Sequence, residues 1–446
     1  MIQKLLNFYR PDSNTVFEGD TNSIDKKYRI YRWSVFLSST IGYGIYYICR
    51  LSINVIKKPI LDEGLFTESQ LGLIGSALFF SYAAGKLVNG FLADRVNIRR
   101  FMATGLLVSA IINLVLGFQW IFLIFVILWA INGWFQSIGS TTSVVALVRW
   151  FSKKERGTYY GFGSVSLSLG EAITFIGTAF VVSVAGWRYG FWVSGLIGLI
   201  GSVIIFKFFH DSPGSKGLVP VSVYKNDPET TGQEKKSFSS LQFGLIKNPA
   251  IWILALAGSF IYVVRYAVNS WGILFLQEEK AYSGLKASSI ISISSIFGIA
   301  GTLLSGLISD KLFGGKRNFP ALIFGLLNIL ALIIFLNVSD NTWADYISMA
   351  LFGISMGVLV CYLGGLMAID ISPKEVSGTV MGLIGIASYA GAGIQDMISG
   401  YLLEHSRMVV ENAVKYDFTP VKIFWISSSC LSLILTLLVW KARGNK

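Results

Sequence analysis

Apolar stretches long enough to cross a lipid bilayer recur along the chain, and short polar intervals separate them. A helix needs about 20 predominantly apolar residues to span the hydrocarbon core. Twelve such stretches lie near residues 30–56, 67–92, 99–118, 121–142, 157–184, 188–209, 250–277, 286–309, 319–337, 343–369, 375–402 and 418–440. Prolines and clusters of charge fall mostly between them. The pattern predicts an all-α membrane protein with twelve transmembrane helices.

The longest polar interval, from His210 to Asn248, divides the twelve segments into two sets of six. Three features recur in the same order in both sets and at a nearly constant spacing: Gly90–Arg95 with Gly306–Lys311, 154–161 with 374–382, and Arg50 with Arg265. Internal repetition at one spacing indicates duplicated structural units. We therefore predict a six-helix bundle at 1–209, a cytoplasmic linker at 210–248 and a pseudo-symmetric six-helix bundle at 249–446.

The composition agrees with a membrane protein, since 53% of the residues are hydrophobic and 14% are charged. Soluble domains contain about 25% charged residues. The net charge is +12, and most of the Lys and Arg residues lie in the two tails and in alternate loops. This asymmetry predicts that both termini are cytoplasmic in a multi-pass protein of the inner membrane, and it argues against nucleic-acid binding. The segment before the first apolar stretch is polar and mixed in charge, so no cleavable signal peptide is predicted.

Two arginines lie well inside apolar segments. Arg50 follows Tyr47 by three residues, and Arg265 follows Tyr262 by three. At about 1.5 Å per residue, both lie roughly 20–22 Å from the cytoplasmic helix ends. A charge at that depth costs about 2.5–3.5 kcal/mol on insertion scales, so it normally faces a cavity and an anionic partner. We predict that the repeat brings the two arginines face to face across a central cavity.

A phosphate monoester suits such a pair, because it carries a charge of about −1.5 to −2 and guanidinium groups bind its oxygens bidentately. Nearby tyrosine hydroxyls could donate to the phosphate or to substrate hydroxyls, although aromatic residues at helical spacing also serve packing. The candidate substrate-binding tyrosines are Tyr43, Tyr46, Tyr47 and Tyr262.

Three further charged residues lie within the apolar segments. Lys86 could be a transient ligand site on the inward path, or its ammonium group could extend to the membrane interface. Glu171 and Asp396 could balance the arginines in the empty carrier or carry a coupling proton, and the sequence leaves both roles open.

The two Gly-x-x-x-Asp-basic loops are candidates for a latch that holds one conformation at the cytoplasmic face. The residues concerned are Asp94, Arg95, Asp310 and Lys311. His210 and His405 have no partner at metal-ligand spacing, and the three cysteines fall in apolar segments. We expect no metal, no cofactor and no enzymatic activity.

Taken together, these motifs resemble the organophosphate:phosphate antiporters of the major facilitator superfamily. The resemblance rests on Gly42-Tyr43, Tyr47-x-x-Arg50, Gly133-x-Phe135-Gln136-x-x-Gly139, Arg149-Trp150, Arg156-Gly157, Tyr262-x-x-Arg265 with Trp271, Gly301-Thr-Leu-Leu, and Ser309-Asp310-Lys311. It implies that Arg50 and Arg265 bind phosphate, with Tyr47 and Tyr262 beside them, and that Lys86 matches a lysine of that family. It also implies exchange of an organic phosphate for inorganic phosphate by rocking of the two halves.

The chain departs from the family pattern in its fifth segment. Residues 163–168 (GSVSLS) replace the family's Trp-Asn-x-x-His-Asn run, and Ser295 stands where several relatives have a glutamate. We therefore expect an altered site for the organic moiety and a sugar phosphate such as hexose 6-phosphate as substrate, carried by a monomer in the lipid bilayer. Two alternatives stay open: a proton-coupled symporter of an organic anion, and a sugar-phosphate sensor without bulk transport.

Overall fold

The computed structural model describes residues 7–12, 21–227, 247–339, 341–372, 376–410 and 413–440, together with Gln3 and Gly244. Within these residues the chain forms twelve long helices. They are α1 (Thr21–Asp62), α2 (Glu68–Ala93), α3 (Ile98–Leu116), α4 (Phe122–Trp150), α5 (Lys153–Ala185), α6 (Trp187–Phe208), α7 (Pro249–Glu278), α8 (Gly284–Leu307), α9 (Asn318–Asn337), α10 (Thr342–Cys361), α11 (Ser377–His405) and α12 (Thr419–Leu438). Part of the predicted linker, 228–243, lies outside the described residues.

Two helices continue past their regular α-helical ends. A π-helical turn, Ile308–Leu312, extends α8, and α10 continues through a second turn, Tyr362–Leu366, into Met367–Asp370. The described part of the linker contains a 3₁₀ turn, Gly214–Lys216, and a short helix, Val221–Tyr224.

Eleven of these helices in the described ranges are long and apolar enough to cross a membrane. The remaining one, α1, has 42 residues and carries Arg50 among its polar side chains. These observations confirm the all-α membrane fold. The boundary at residue 56 was wrong, because α1 continues to Asp62 and Lys57 lies inside it, only 1% exposed.

The helices pack in two sets that repeat the same pattern of neighbours. In the N-terminal half (α1–α6), α2 packs on α4, α1 on α5, and α3 on α6. In the C-terminal half (α7–α12), α8 packs on α10, α7 on α11, and α9 on α12. The halves meet along α2–α11 and α5–α8, with α1 against α7. This arrangement is the pseudo-two-fold relation that the sequence repeat predicts.

Glycines at equivalent positions allow the closest helix approaches in each half. A Cβ atom on Gly133 of α4 would overlap the Leu78 carbonyl of α2, and one on Gly353 of α10 would overlap the Ser294 carbonyl of α8. Gly133 and Gly353 correspond to each other in the sequence repeat. Small residues let membrane helices approach until their backbones are in contact, so the repeat preserves packing as well as topology.

The start of α1, the end of α6, the start of α7 and the end of α12 lie on one side of the bundle, called here the terminal face. The α1–α2 and α7–α8 connections lie at the opposite face. The halves are joined at the opposite face, where Lys58 donates to Glu278 and the Ser69 amide donates to Glu404 at 3.0 Å. Ser76 of α2 also donates to the Gly393 carbonyl of α11 at 2.7 Å.

A small hairpin at the opposite face adds a further connection. Strands β1 (Arg407–Val410) and β2 (Ala413–Tyr416) pair antiparallel, with Arg407 opposite Tyr416. The Tyr416 hydroxyl donates to Glu68 at the start of α2, at 2.5 Å. The hydrophobic pattern did not predict this hairpin, because its strands are short and flanked by loop residues.

Gly133→Ala should destabilise the protein, because the new methyl group meets backbone rather than a mobile side chain. We expect the free energy of unfolding to fall by about 1–3 kcal/mol. Gly177→Ala on α5 is the matched control, since a Cβ there meets nothing within 4 Å and helix propensity alone favours alanine. The free energy of unfolding of both variants is measured by SDS unfolding in mixed micelles, followed by tryptophan fluorescence. Equal stability of the two variants would contradict this account of the helix packing.

Candidate functional site

Arg50 lies at the centre of the molecule, on the face of α1 that meets the C-terminal half. The residue is only 3% exposed, and its Nη2 donates to the Tyr266 hydroxyl of α7 at 3.1 Å. Among the described residues no carboxylate forms an ion pair with the guanidinium, and its Nε has no acceptor. A buried cation in this position keeps unused capacity for an anion.

Aromatic rings surround the Arg50 guanidinium in place of a counterion. Its Cζ lies 4.6 Å from the ring centre of Tyr82, 5.5 Å from Phe79 and 5.5 Å from Tyr389. The rings of Tyr47 and Tyr266 are both 5.7 Å away. Cation–π contacts stabilise a desolvated cation by about 2 kcal/mol, so these rings offset part of the cost of burial without neutralising the charge.

Arg265 lies on α7 and also contacts Tyr266, whose ring centre is 5.7 Å from its Cζ. The two arginines, one from each half, therefore contact the same tyrosine, and their meeting across a central cavity stays a prediction. In contrast to Arg50, Arg265 has an internal partner, because its Nη2 is 3.5 Å from Glu171 Oε2 of α5. Asn269 donates to the other oxygen of Glu171. The Arg265 side chain is 20% exposed, so this ion pair is accessible to water.

The predicted tyrosines separate into two groups. Tyr43, Tyr47 and Tyr262 lie among the rings at the centre, with Tyr43 5.7 Å from Tyr47 and Tyr262 5.5 Å from Tyr389, measured between ring centres. Tyr46 points into the N-terminal half, where its hydroxyl donates to the Met102 carbonyl at 2.7 Å. The structure thus places Tyr46 in helix packing and does not bring it to the site.

Lys86 lies on the terminal side of the central rings and is exposed. Its Nζ is 5.6 Å from the Tyr389 ring centre, and a Cβ on Gly385 of α11 would lie 3.7 Å from it. The side chain therefore extends between α2 and α11, toward the gap between the halves.

Asp396 is not near either arginine but pairs with Lys57 closer to the opposite face. Lys57 Nζ is 3.6 Å from Asp396 Oδ1 and donates to Ser270 Oγ at 2.7 Å. Asp396 Oδ1 also accepts from Ser270 Oγ at 2.6 Å and from Trp271 Nε1 at 2.7 Å. This buried network connects α1 of one half with α7 and α11 of the other.

Sequence reasoning missed six residues of these clusters. Asn269 and Ser270 follow Arg265 by four and five residues, and the other four are Lys57, Phe79, Tyr82 and Tyr389. Signals for them exist at helical spacing, because Phe79 and Tyr82 lie seven and four residues before Lys86, and Tyr389 lies seven before Asp396. Residues so spaced share one helix face. Lys57 follows Arg50 by seven residues, but the segment boundary at 56 excluded it.

The predicted latch residues are all exposed at the terminal face: Asp94, Arg95, Asp310 and Lys311. Within the described ranges none of them forms an ion pair with a charged group. The contacts that join the halves lie at the opposite face, so the latch role of these four residues remains a prediction.

The histidines lie outside the central site. His210 packs against Tyr31, with ring centres 5.0 Å apart, and burial together with nearby Lys216 and Arg99 lowers its pKa to about 4. His405 Nδ1 is 2.9 Å from the Tyr401 carbonyl. In the part of the chain that the structure describes, no three His, Cys, Asp or Glu residues come together as metal ligands.

Comparison with known proteins identifies the superfamily to which the chain belongs. Residues 39–395 match the Major Facilitator Superfamily. The fold resembles that of a bacterial homologue of the human lysosomal transporter Spinster, with a TM-score of 0.73, 16% identity and coverage of 93% of this chain and 99% of the other. The protein therefore belongs to a superfamily of polytopic membrane transporters and is not an enzyme.

Two relatives identify the family within this superfamily. The chain is 32% identical to a probable hexose phosphate transport protein of Chlamydia pneumoniae, over 98% of this chain and 97% of that protein. It is 31% identical to the membrane sensor protein UhpC of Salmonella typhimurium, over 90% and 92% of the two chains. The chain belongs to the organophosphate:phosphate antiporter family of the major facilitator superfamily.

Tyr266→Phe should lower stability, because it removes the hydroxyl that accepts from the buried Arg50 guanidinium. A hydrogen bond to a charged group contributes about 1.5–3 kcal/mol, and we expect a loss of that size in the free energy of unfolding. Tyr401→Phe, at an exposed tyrosine of α11, should change it by less than about 0.5 kcal/mol. SDS unfolding in mixed micelles measures both, and a neutral Tyr266→Phe would show that Arg50 does not depend on this acceptor.

Proposed function

We propose that the protein exchanges an organic phosphate, a sugar phosphate such as hexose 6-phosphate, for inorganic phosphate across the inner membrane by alternating access. The observation that carries this proposal is the approach of two guanidinium groups, one from each half, to a single tyrosine, Tyr266. Phosphate oxygens match the fork of a guanidinium group, so the two arginines together offer a bidentate site on each side of one anion.

Charge balance supports a phosphate ligand. Three cations near the halves' contact, Arg50, Arg265 and Lys57, face two buried carboxylates, Glu171 and Asp396. This leaves one positive charge, on Arg50, without an internal acidic partner among the described residues. A phosphate monoester that binds both arginines would compete with Glu171 for Arg265 and displace it. Its charge of about −1.5 to −2 then neutralises both guanidinium groups.

This displacement would couple binding to the motion of the two halves. Glu171 belongs to the N-terminal half and Arg265 to the C-terminal half, so their ion pair is a contact between the halves. A ligand shifts a conformational equilibrium only through contacts that differ between the states. A phosphate that replaces an inter-half ion pair with its own bonds meets that condition.

The organic moiety would extend toward the terminal face, where the predicted cytoplasmic entrance lies. Tyr262, Tyr82 and Tyr389 offer hydroxyl groups and ring faces there, and the Lys86 ammonium group is exposed beyond them. These groups suit a polyhydroxylated sugar. We further propose that the carrier works as a monomer, since each arginine comes from the same chain.

Arg50→Lys and Arg265→Lys should each lower phosphate exchange about 100-fold or to background, because an ammonium group is a point charge without the planar fork. Uptake of labelled phosphate into phosphate-loaded proteoliposomes measures the rate. Arg407→Lys, at an exposed arginine of β1, is the control and should retain wild-type exchange. Wild-type rates in either site variant would refute the two-arginine site.

A membrane sensor is the second candidate function, because the chain is nearly as similar to the sensor UhpC as to the hexose phosphate transport protein. A sensor would bind the sugar phosphate at the same arginines and carry little flux. The purified wild-type protein separates the two functions. If hexose 6-phosphate raises its thermal unfolding temperature and proteoliposomes also exchange phosphate, the protein is a transporter. Thermal stabilisation with no flux in sealed vesicles would support the sensor.

A further inference from the structure

Lys57 is a buried cation between the halves that the two-arginine site does not use. It lies two helical turns beyond Arg50 on the same face of α1, about 10 Å nearer the opposite face. Tyr43, Tyr47, Arg50 and Lys57 form one stripe along α1, at spacings of four, three and seven residues, and this stripe faces the C-terminal half. An anion that entered from the opposite face would pass Lys57 before it reached Arg50.

The partners of Lys57 lie on the other half of the protein. Its Nζ donates to Ser270, lies 3.6 Å from Asp396 and stands 3.5 Å from the ring centre of Trp271. Ser270 and Trp271 are on α7, and Asp396 is on α11. If the halves part at the opposite face, Lys57 leaves all three of these contacts on the receding half.

Asp396 does not lose its partners in the same way. Its Oδ1 accepts from Ser270 Oγ and Trp271 Nε1, and both donors move with the C-terminal half. The carboxylate therefore keeps two hydrogen bonds, whereas Lys57 becomes an ammonium group without a counterion in an opening filled with water. An anion from solution is the natural partner for such a group.

The same geometry occurs at Arg265. Its partner Glu171 lies on α5, the fifth helix of the N-terminal half, and the partner of Lys57 lies on α11, the fifth helix of the C-terminal half. In both pairs, an acid from one half masks a cation on the first helix of the other. A charged pair is not needed simply to close the opposite face, because a buried ion pair is often no more stable than apolar residues of similar volume.

We propose that Lys57 is a third phosphate-binding group of the transport path, masked by Asp396 in this conformation and freed when the halves part at the opposite face. This inference rests on the proposed phosphate transport and adds an entry site to it. The ligand is a phosphate monoester or inorganic phosphate arriving from the opposite face. On this path the anion binds Lys57 first and then passes to Arg50 and Arg265.

The test compares Asp396→Asn, which removes the mask, with the double variant Lys57→Met and Asp396→Asn, which removes both charges. The double variant leaves no unpaired charge at this pair, so it should fold. KM for inorganic phosphate is measured separately from each face, in proteoliposomes with one orientation of the protein. From the opposite face, KM should be about tenfold higher in the double variant than in Asp396→Asn, which corresponds to about 1.4 kcal/mol. From the terminal face, the two values should agree within about twofold.

A second buried Lys–Asp pair provides the matched control. Lys280 and Asp345 are 2.6 Å apart, 3% and 1% exposed in their side chains, and both lie within the C-terminal half near the opposite face. Lys280→Met with Asp345→Asn should leave KM unchanged from both faces. If Asp396→Asn does not fold, as judged by size-exclusion chromatography, the double variant is compared with the wild type, and the same one-sided rise in KM is expected.

The following results would overturn the inference. Equal KM values in the two variants, or a shift of the same size from both faces, would show that Lys57 only closes the opposite face. A change in maximal rate without a change in KM would show the same. These failures leave the proposed function intact, because the wild type would still exchange phosphate. Absence of any phosphate exchange by the wild type would instead refute the proposed function, and this inference with it.

Discussion

The structure depends on how three cations are held in the interior of a membrane protein. A charge there is costly unless its surroundings replace water. Arg50 is held by aromatic rings and one tyrosine hydroxyl, Arg265 by a buried carboxylate while its own side chain stays partly exposed, and Lys57 by a fully buried network. Of these three, only Arg50 keeps its full charge uncompensated by an acid within the described residues. The three cations therefore differ in how easily an external anion could bind them, because only Arg50 has no internal acid to displace.

The two internal ion pairs connect the chemistry of the site to the motion of the halves. Each pair crosses between the halves, and each closes part of the path that a substrate would take. The Arg265–Glu171 pair is accessible to water, so a ligand can compete with it directly. The Lys57–Asp396 pair is buried beneath the contacts of α2 with α11, so the halves must part before a ligand reaches it. These two pairs would hold the empty protein closed at the opposite face, which is the property that the proposed exchange needs.

Much of the fold and the centre of the site could be predicted from the sequence, because single charges in long apolar segments stand out. Arg50 and Arg265 were found for that reason. Lys57 was missed because Lys58 and Asp62 follow closely, and such a cluster of charges is typical of a loop. Tyr47 was preferred to Tyr46 because it lies three residues before Arg50, but Tyr46 lies four before it and also stays near that helix face. Only the packing of α1 shows that the Tyr46 hydroxyl binds within the N-terminal half.

The repeat shows which features a duplicated membrane protein can change. The glycines of the closest helix contacts keep the spacing of the repeated motifs, both for Gly85 with Gly301 and for Gly133 with Gly353. The buried acids do not keep the repeat spacing. Asp396 lies about one helical turn beyond the position on α11 that corresponds to Glu171 on α5. A shift of one turn leaves a side chain on the same helix face. A backbone contact has no such freedom, so packing is preserved while the charges are redistributed along the helices. One duplicated scaffold can therefore hold a partly exposed ion pair, Arg265–Glu171, and a fully buried one, Lys57–Asp396.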